Sequence, residues 1–134
     1  MPALSQNLTF QITNGNTTTN SVQVNYPVLG QGGYVYYSDR VKGDGYFGGS
    51  DGFHTVAYTT TRYFVGTVTM QATLASEPIS SDWFTVSDTS VTYTAMDARI
   101  NPSVDIFNFT GNFVWVRGFI QINEGTVTSI QYNH

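Results

Sequence analysis

Alternation of apolar and polar side chains is the main pattern along this chain of 134 residues. It is clearest in residues 64–74, where apolar residues are separated by Thr and Gln. A period of two is typical of a strand with one buried and one solvated face. Apolar residues nowhere recur at helical spacing over three turns, so we expect little or no helix. The positions of residues 64–74 expected to point inward are Val68, Met70, Ala72 and Leu74.

Residues 107–122 are the densest aromatic and β-branched stretch. Apolar residues occupy both parities of its second half, which predicts a strand covered on both faces. Asn123-Glu124-Gly125 is predicted to be a turn, after which residues 126–132 pair back as a hairpin. Arg117 is expected to be a buried or interface charge that needs a carboxylate such as Asp82 or Asp105. The large aromatic residues expected in the core are Trp83, Phe113, Trp115 and Phe119.

Short strands separated by polar turns predict the fold class. We expect an all-β, single-domain antiparallel β-sandwich, jelly-roll-like, with seven to nine strands over residues 1–134. Residues 30–52 differ, because eight of the 13 glycines fall there together with several tyrosines. Such a long excursion usually makes contacts, and we expect it to contact a neighbouring subunit or, as the alternative, a glycan. The candidate contact residues are Tyr34, Tyr36, Tyr37, Tyr46 and Phe47.

Composition narrows the function classes. The chain has no cysteine, which excludes disulfides, thiolate metal sites and cysteine nucleophiles. Its net charge is −4 and only 10% of its residues are charged, and this low charge in a strand-rich chain favours assembly. No apolar run is long enough for a membrane span. The basic residues look scattered, so nucleic-acid binding is not expected; they are Arg40, Lys42, Arg62, Arg99 and Arg117.

Candidate catalytic and metal-binding residues are few. His54 has no nucleophile motif beside it and is interpreted as a structural or surface histidine. Carboxylates in the glycine-rich region could gather calcium, but their spacing matches no known calcium loop. A glycosidase pair of Asp82 and Asp105 is the weakest hypothesis. We therefore expect no catalytic residue, no metal and no cofactor; the glycine-region carboxylates are Asp39, Asp44 and Asp51.

Three segments resemble a known module. Residues 67–86, with Asp82-Trp83-Phe84, residues 107–120, with Thr-Gly-Asn-Phe-Val-Trp-Val-Arg, and residues 125–134 are similar to small virion structural proteins of tailed bacteriophages. The similarity is to myoviruses that infect marine cyanobacteria and covers the C-terminal half. It implies a particle component without an active site. The first residues lack the features of a signal peptide, so we expect synthesis in the host cytoplasm and assembly onto the virion.

The resulting functional hypothesis is a non-enzymatic virion structural protein that decorates or cements the capsid through protein–protein contacts. A baseplate, neck or tail-fibre-associated module is the first alternative, and a carbohydrate-binding module for host surface glycans is the second. The expected partners are other virion proteins and further copies of the chain, for instance in a trimer. Neither nucleic acid nor membrane is an expected partner. The choice between head and tail remains open.

Overall fold

The strands form a front sheet, a back sheet and a small hairpin. The computed structural model describes residues 6–12, 17–19, 21–24, 34–47, 52–61, 64–94 and 103–133. The front sheet contains β5 (Tyr34–Tyr37), β6 (Val41–Lys42), β8 (Val65–Thr73), β9 (Phe84–Thr85), β10 (Val91–Tyr93) and the first half of β12 (Trp115–Asn133). The back sheet contains β1 (Gln6–Asn7), β4 (Val22–Val24), β7 (Phe53–Thr60), β11 (Ser103–Thr110) and the second half of β12. The hairpin is β2 (Phe10–Ile12) with β3 (Thr17–Thr19).

All of these pairings are antiparallel. In the front sheet, β9 and β10 pair with one side of β8, β8 pairs with β12, and β12 pairs with β5 and β6. In the back sheet, β11 pairs with β7, β7 pairs with β12, and β12 pairs with β4 and β1. Strand β12 therefore lies in the interior of both sheets and joins them. The helical segments in the described residues are short 3₁₀ turns at Asp44–Phe47 and Ser80–Asp82.

The predicted turn at residues 123–125 is wrong. The chain remains in strand β12 there, and its pairing with β8 shifts register between Ile122 and Glu124. Gly125 follows with a φ of 89°, a conformation that glycine adopts without strain. A bulge of this kind bends a strand and lets it pass from one sheet to the other. The predicted hairpin of residues 126–132 is wrong for the same reason, because these residues pair with β4, β7 and β1.

The two sheets enclose one core, which confirms the predicted all-β sandwich. Gly118 of the front sheet shows how closely the sheets approach, since a Cβ atom there would lie 2.8 Å from Cδ1 of Ile130 in the back sheet. Leu74 follows the end of β8 and is 67% exposed, so its predicted burial is wrong. Buried residues of the front sheet include Val68, Met70, Ala72, Val116, Ile120 and Ile122, and those of the back sheet include Val56, Tyr58, Ile130 and Tyr132.

Part of the glycine- and tyrosine-rich region is regular structure. Residues 34–47 form β5, β6 and the first 3₁₀ turn, and they extend the front sheet beside β12. Residues 30–33 and 48–51 lie outside the described residues. Tyr34, Tyr36 and Tyr37 are therefore positioned by strand pairing with β12, and Tyr46 lies in the 3₁₀ turn. In the described part of the chain, no helix is long and apolar enough to cross a membrane.

Candidate functional site

The outward face of the front sheet holds the candidate site. Along β12, Val116, Gly118, Ile120 and Ile122 point inward and are buried, so the residues between them point outward. Directly paired residues lie on the same side of an antiparallel sheet. The outward residues of β5 and β8 therefore share this surface with those of β12. We call the surface the aromatic–cation face and define it by Tyr37, Arg40, Lys42, Tyr46, Trp83, Trp115, Arg117 and Phe119.

Arg117 lies between two aromatic rings at the centre of this face. Its Cζ atom is 4.1 Å from the ring centroid of Trp83 and 4.2 Å from that of Tyr37. Its Nε donates a 2.8 Å hydrogen bond to Oε1 of Gln71, the residue directly opposite on β8. Burial lowers the pKa of Arg117, while Tyr37 acts in the opposite direction. Arginine nevertheless remains charged in proteins, so the surrounding groups hold a fixed cation in place.

These contacts correct the expectation of a carboxylate partner for Arg117. The carboxylate of Asp82 accepts the backbone N–H of Ile79 at 2.9 Å, and the carboxylate of Asp105 accepts the hydroxyl of Tyr93 at 2.5 Å. In the part of the chain that the structure describes, the Arg117 guanidinium contacts an amide oxygen and two rings instead. Stacking on aromatic rings stabilises an arginine without neutralising it.

A second cluster surrounds Trp115, two residues before Arg117 on the same strand. Cζ of Arg40 lies 4.2 Å above the Trp115 ring, and the Tyr46 ring lies 5.1 Å from it between centroids. Nζ of Lys42 lies 4.5 Å from the Tyr46 centroid. Nε1 of Trp115 donates a 3.0 Å hydrogen bond to the carbonyl of Ser76. The indole is thereby held by a hydrogen bond at its edge and by ring contacts at its face.

The face is open to solvent and mixes rings with polar groups. Tyr37 is 48% exposed and Tyr46 is 46% exposed, while Trp115 is partly buried. The Tyr37 and Phe119 rings lie 5.5 Å apart. Beyond Phe119, Nε2 of Gln121 donates to Oδ1 of Asn123 at 2.8 Å. The result is a surface of pre-positioned rings with amide and guanidinium groups between them, a combination suited to amphipathic ligands.

The structure distributes the predicted contact residues over two faces. Tyr37 and Tyr46 belong to the aromatic–cation face. Tyr36 is opposite the buried Ile120 and packs against the core. Tyr34 is half exposed near the end of β5. The side chain of Phe47 lies outside the described residues.

Three of the four predicted core aromatics belong to the outward face. Trp83, Trp115 and Phe119 are partly exposed there, whereas Phe113 packs against the core. The physical reason for the β12 aromatics is the alternation of side chains along the strand. The even-numbered residues Val116, Gly118 and Ile120 point into the narrow gap between the sheets, so the odd-numbered aromatics point outward. The sequence contains a signal that could have shown this. Arg117 and Gln121 have the same parity as the aromatics, and polar residues of that parity indicate a solvated face.

His54 is a buried structural residue. Its Nε2 donates to the carbonyl of Gly111 at 2.6 Å, and its Nδ1 then accepts the Tyr132 hydroxyl at 2.7 Å. Its ring stacks on Phe109 with centroids 4.7 Å apart. With both nitrogens bonded, His54 is positioned as part of the core. Burial raises the pKa of Tyr132, and the nearby Asp44 carboxylate raises it further.

The two described carboxylates of the glycine-rich region have different hydrogen-bond partners. Asp44 is buried and accepts the backbone N–H of Gly52 at 2.7 Å, while Asp39 accepts the Thr9 hydroxyl at 2.9 Å. Asp51 lies outside the described residues. Over the described ranges, no cluster of three or more His, Cys, Asp or Glu side chains could hold a metal ion.

A cleft, separate from the aromatic–cation face, lies at the end of β11. It is a cleft of about 630 Å³ with four phenylalanines in its walls and Asn108 and Asp88 among its polar groups. Oδ1 of Asn108 already accepts the Thr55 hydroxyl at 2.8 Å. Among the described residues that line the cleft there is a histidine, His54, but no Lys or Arg, which distinguishes the cleft from the aromatic–cation face. Its phenylalanines are Phe53, Phe84, Phe109 and Phe113.

Comparison with known proteins identifies the fold class and gives no family. No family model and no curated protein matches the chain. Among solved structures, it is similar to the C-terminal family 6 carbohydrate-binding module of a marine laminarinase from Zobellia galactanivorans. The TM-score is 0.50 at 10% identity, over 98% of this chain and 100% of that one. This similarity concerns the fold, an antiparallel β-sandwich.

Two further structures show weaker similarity. One is a family 35 carbohydrate-binding module from Clostridium thermocellum, with a TM-score of 0.48 and 10% identity over 97% of this chain and 98% of that one. The other is a module of Cellvibrio mixtus lichenase 5A in complex with cellotriose, with a TM-score of 0.44 and 13% identity over 100% of this chain and 89% of that one.

Proposed function

We propose that the protein is a non-catalytic carbohydrate-binding module and that the aromatic–cation face is its binding surface. The observation that supports this most is the pair of ring clusters fixed side by side on an outward sheet face. Sugars present apolar C–H surfaces that pack on aromatic rings and hydroxyls that bond to amide and guanidinium groups. Because both clusters are held by internal contacts, little side-chain ordering is needed on binding.

A binding role without catalysis agrees with the carboxylates. Glycoside hydrolysis needs two carboxyl groups facing one bond, roughly 5–10 Å apart. Asp82 and Asp105, the pair considered from the sequence, are bonded to Ile79 and Tyr93 respectively. The marine laminarinase module described above shares the fold and is named as carbohydrate-binding, which supports the proposal at the level of the scaffold.

The test is binding of the purified protein to a panel of neutral and acidic polysaccharides, measured by affinity electrophoresis and calorimetry. Tyr37→Ala and Trp83→Ala should each weaken binding by about tenfold, because each removes a ring at the centre of the face. Phe53→Ala is the matched control, since Phe53 is 63% exposed on the back sheet and borders the cleft. Absence of binding to every polysaccharide would contradict the proposal. Loss of binding only in Phe53→Ala would move the site to the cleft.

A structural role in a phage particle is a second candidate, favoured by strand β11. This strand pairs with β7, and its outward Val104 and Ile106 are 57% and 63% exposed. Apolar side chains on such a strand favour pairing with another chain. We propose that a virion protein of this kind assembles through β11 while its front face stays exposed to solvent.

The Ile106→Asp variant should then lower the oligomer mass measured by light scattering, and a cryo-EM map of particles would distinguish a head location from a tail location. Strand β11 is the last strand in the described order of the back sheet. If the unmutated protein is a monomer, assembly through β11 is contradicted.

A further inference from the structure

The Lys and Arg residues that the structure describes lie on one surface. Arg40, Lys42 and Arg117 are the Lys and Arg residues of the described part of the chain, and all three lie on the aromatic–cation face. Arg62 and Arg99 are outside the described residues. The whole chain has a net charge of −4. The face therefore presents local positive charge on an acidic protein, and this local charge is what a nearby anion experiences.

The Arg117 guanidinium is arranged to donate outward. Its Cζ lies over the rings of both Trp83 and Tyr37, and its Nε is bonded to Gln71. Ring stacking occupies the faces of a guanidinium and leaves its terminal N–H groups available in the plane. A carboxylate accepts two parallel N–H bonds from such an edge, and these charge-assisted bonds are stronger than those to a neutral hydroxyl.

A second cationic position lies beside the first. Trp115, which stacks with Arg40, and Arg117 are two residues apart on β12. The two guanidinium groups therefore belong to neighbouring clusters of one face. A polymer that carries several anionic groups can contact both of them.

We propose that the ligand of the aromatic–cation face is an acidic polysaccharide whose sugar units carry carboxylates, with Arg117 binding one carboxylate through its outward edge. This inference rests on the proposed carbohydrate-binding function and specifies its ligand class. A tetrahedral oxyanion such as sulfate also accepts two N–H bonds from an arginine fork, so binding of dextran sulfate distinguishes the two kinds of anion. Tyr37 and Trp83 hold the guanidinium in position, and Arg40 supplies the second charge.

The experiment compares each acidic polymer with its own neutral form. Polygalacturonate, alginate and hyaluronan are tested against carboxyl-reduced preparations of the same polymers, with dextran sulfate as the sulfated probe and laminarin as the neutral glucan. At least one carboxylated polymer should bind about tenfold more tightly than its reduced form. That preference should shrink as ionic strength rises from about 0.01 M to 0.15 M, because exposed charges are screened.

Variants then assign the preference to residues. Arg117→Gln should lower the ratio of the two affinities, carboxylated form over reduced form, from about tenfold to about one, because glutamine keeps a hydrogen-bonding amide and loses the charge. Arg117→Lys should retain only part of the preference, since lysine keeps the charge and loses the planar fork. Arg40→Gln is the second variant, and its Arg is exposed, so folding should be unaffected. Phe53→Ala again serves as the control, and thermal unfolding checks that each variant is folded.

The outcomes separate this inference from the function on which it rests. Equal affinity for acidic and reduced polymers, unchanged in Arg117→Gln, would overturn the acidic ligand while carbohydrate binding stands. Tight binding of dextran sulfate without binding of any carboxylated polymer would overturn the carboxylate assignment. Failure to bind any polysaccharide would overturn both proposals.

Discussion

The two halves of strand β12 point their aromatic residues in opposite directions. In the front sheet, Trp115 and Phe119 lie on the outward face, and Val116, Gly118 and Ile120 fill the inward positions between them. On the back sheet, Tyr58 and Tyr132 are fully buried, and the outward positions of β7 and β12 include Thr59 and Gln131. The front face groups its exposed rings around cations, whereas the back sheet exposes Phe53 at the rim of the cleft. Exposed rings arranged in this way support the proposal that the front face is a binding surface.

Hydrogen bonding explains how the back sheet accommodates its tyrosines. The Tyr58 hydroxyl donates to the carbonyl of Thr89 at 2.7 Å, and the Tyr132 hydroxyl bonds to His54 at the same distance. Buried hydroxyls need such partners. The rings of Trp115 and Tyr37 on the front face instead have arginine side chains over them. The comparison therefore predicts that back-sheet aromatics determine stability and front-face aromatics determine binding.

The largest expected effect is on stability. Tyr58→Ala should lower the free energy of unfolding by about 3–5 kcal/mol, because it leaves a cavity and an unbonded carbonyl. Tyr37→Ala should lower it by no more than about 1.5 kcal/mol, since it removes an exposed ring with one cation contact and one ring contact. Urea unfolding of the two variants measures both values. Equal losses would show that the front-face rings are structural.

Alkaline pH should destabilise the protein through the back sheet. Burial raises the pKa of Tyr58, against a smaller opposing effect of its bond to Thr89, and burial also raises the pKa of Tyr132. A raised folded-state pKa gives stability that is complete below the unfolded value of about 10 and is lost as pH rises above it. Each tyrosine should contribute a loss of about 1.4 kcal/mol per pH unit above about pH 10.

The measurement for this pH effect is urea unfolding at several pH values between about 9 and 11. The Tyr58→Phe variant should show a shallower decline than the parent, and the double variant with Tyr132→Phe a shallower one still. A decline of the same slope in all three proteins would place the titrating groups elsewhere.

A smaller effect should come from the residue that positions Arg117. Gln71→Ala removes the acceptor of the Arg117 Nε bond without removing charge or a ring. We expect about a threefold loss of affinity for a carboxylated polysaccharide, with little change for its reduced form. Gln131→Ala, on the exposed outer side of β12 in the back sheet, is the matched control. A similar loss in both variants would show that Gln71 has no specific role.

The sequence predicted the fold better than the site. The alternation in β8 correctly placed Val68, Met70 and Ala72 inside, because a half-buried strand shows its faces directly in its composition. The prediction of a turn at residues 123–125 of β12 is wrong, because a glycine next to polar residues is typical of both a turn and a bulge. Only the pairing partners on β7 and β8 distinguish the two, and those partners are distant in the chain.

The candidate site was hidden by a similar ambiguity. Large aromatics were assigned to the core on hydrophobicity alone, although Trp115 shares its parity with Arg117. The basic residues looked scattered because Arg40 and Lys42 lie far from Arg117 in sequence, and strand pairing brings them onto one face. Sequence separation says little about such a cluster when the strands are joined by long-range pairing.

The most direct test is an NMR titration of the labelled protein with an oligosaccharide of the polysaccharide that binds best. The account predicts that chemical-shift changes concentrate at Tyr37, Trp83 and residues 115–121, including the Arg117 side-chain Nε–H signal. Back-sheet residues such as Thr59 and Gln131 should stay unchanged. Changes centred on the cleft at Phe53 and Asn108, or on the outer side of the back sheet, would contradict the assignment of the front face as the binding surface.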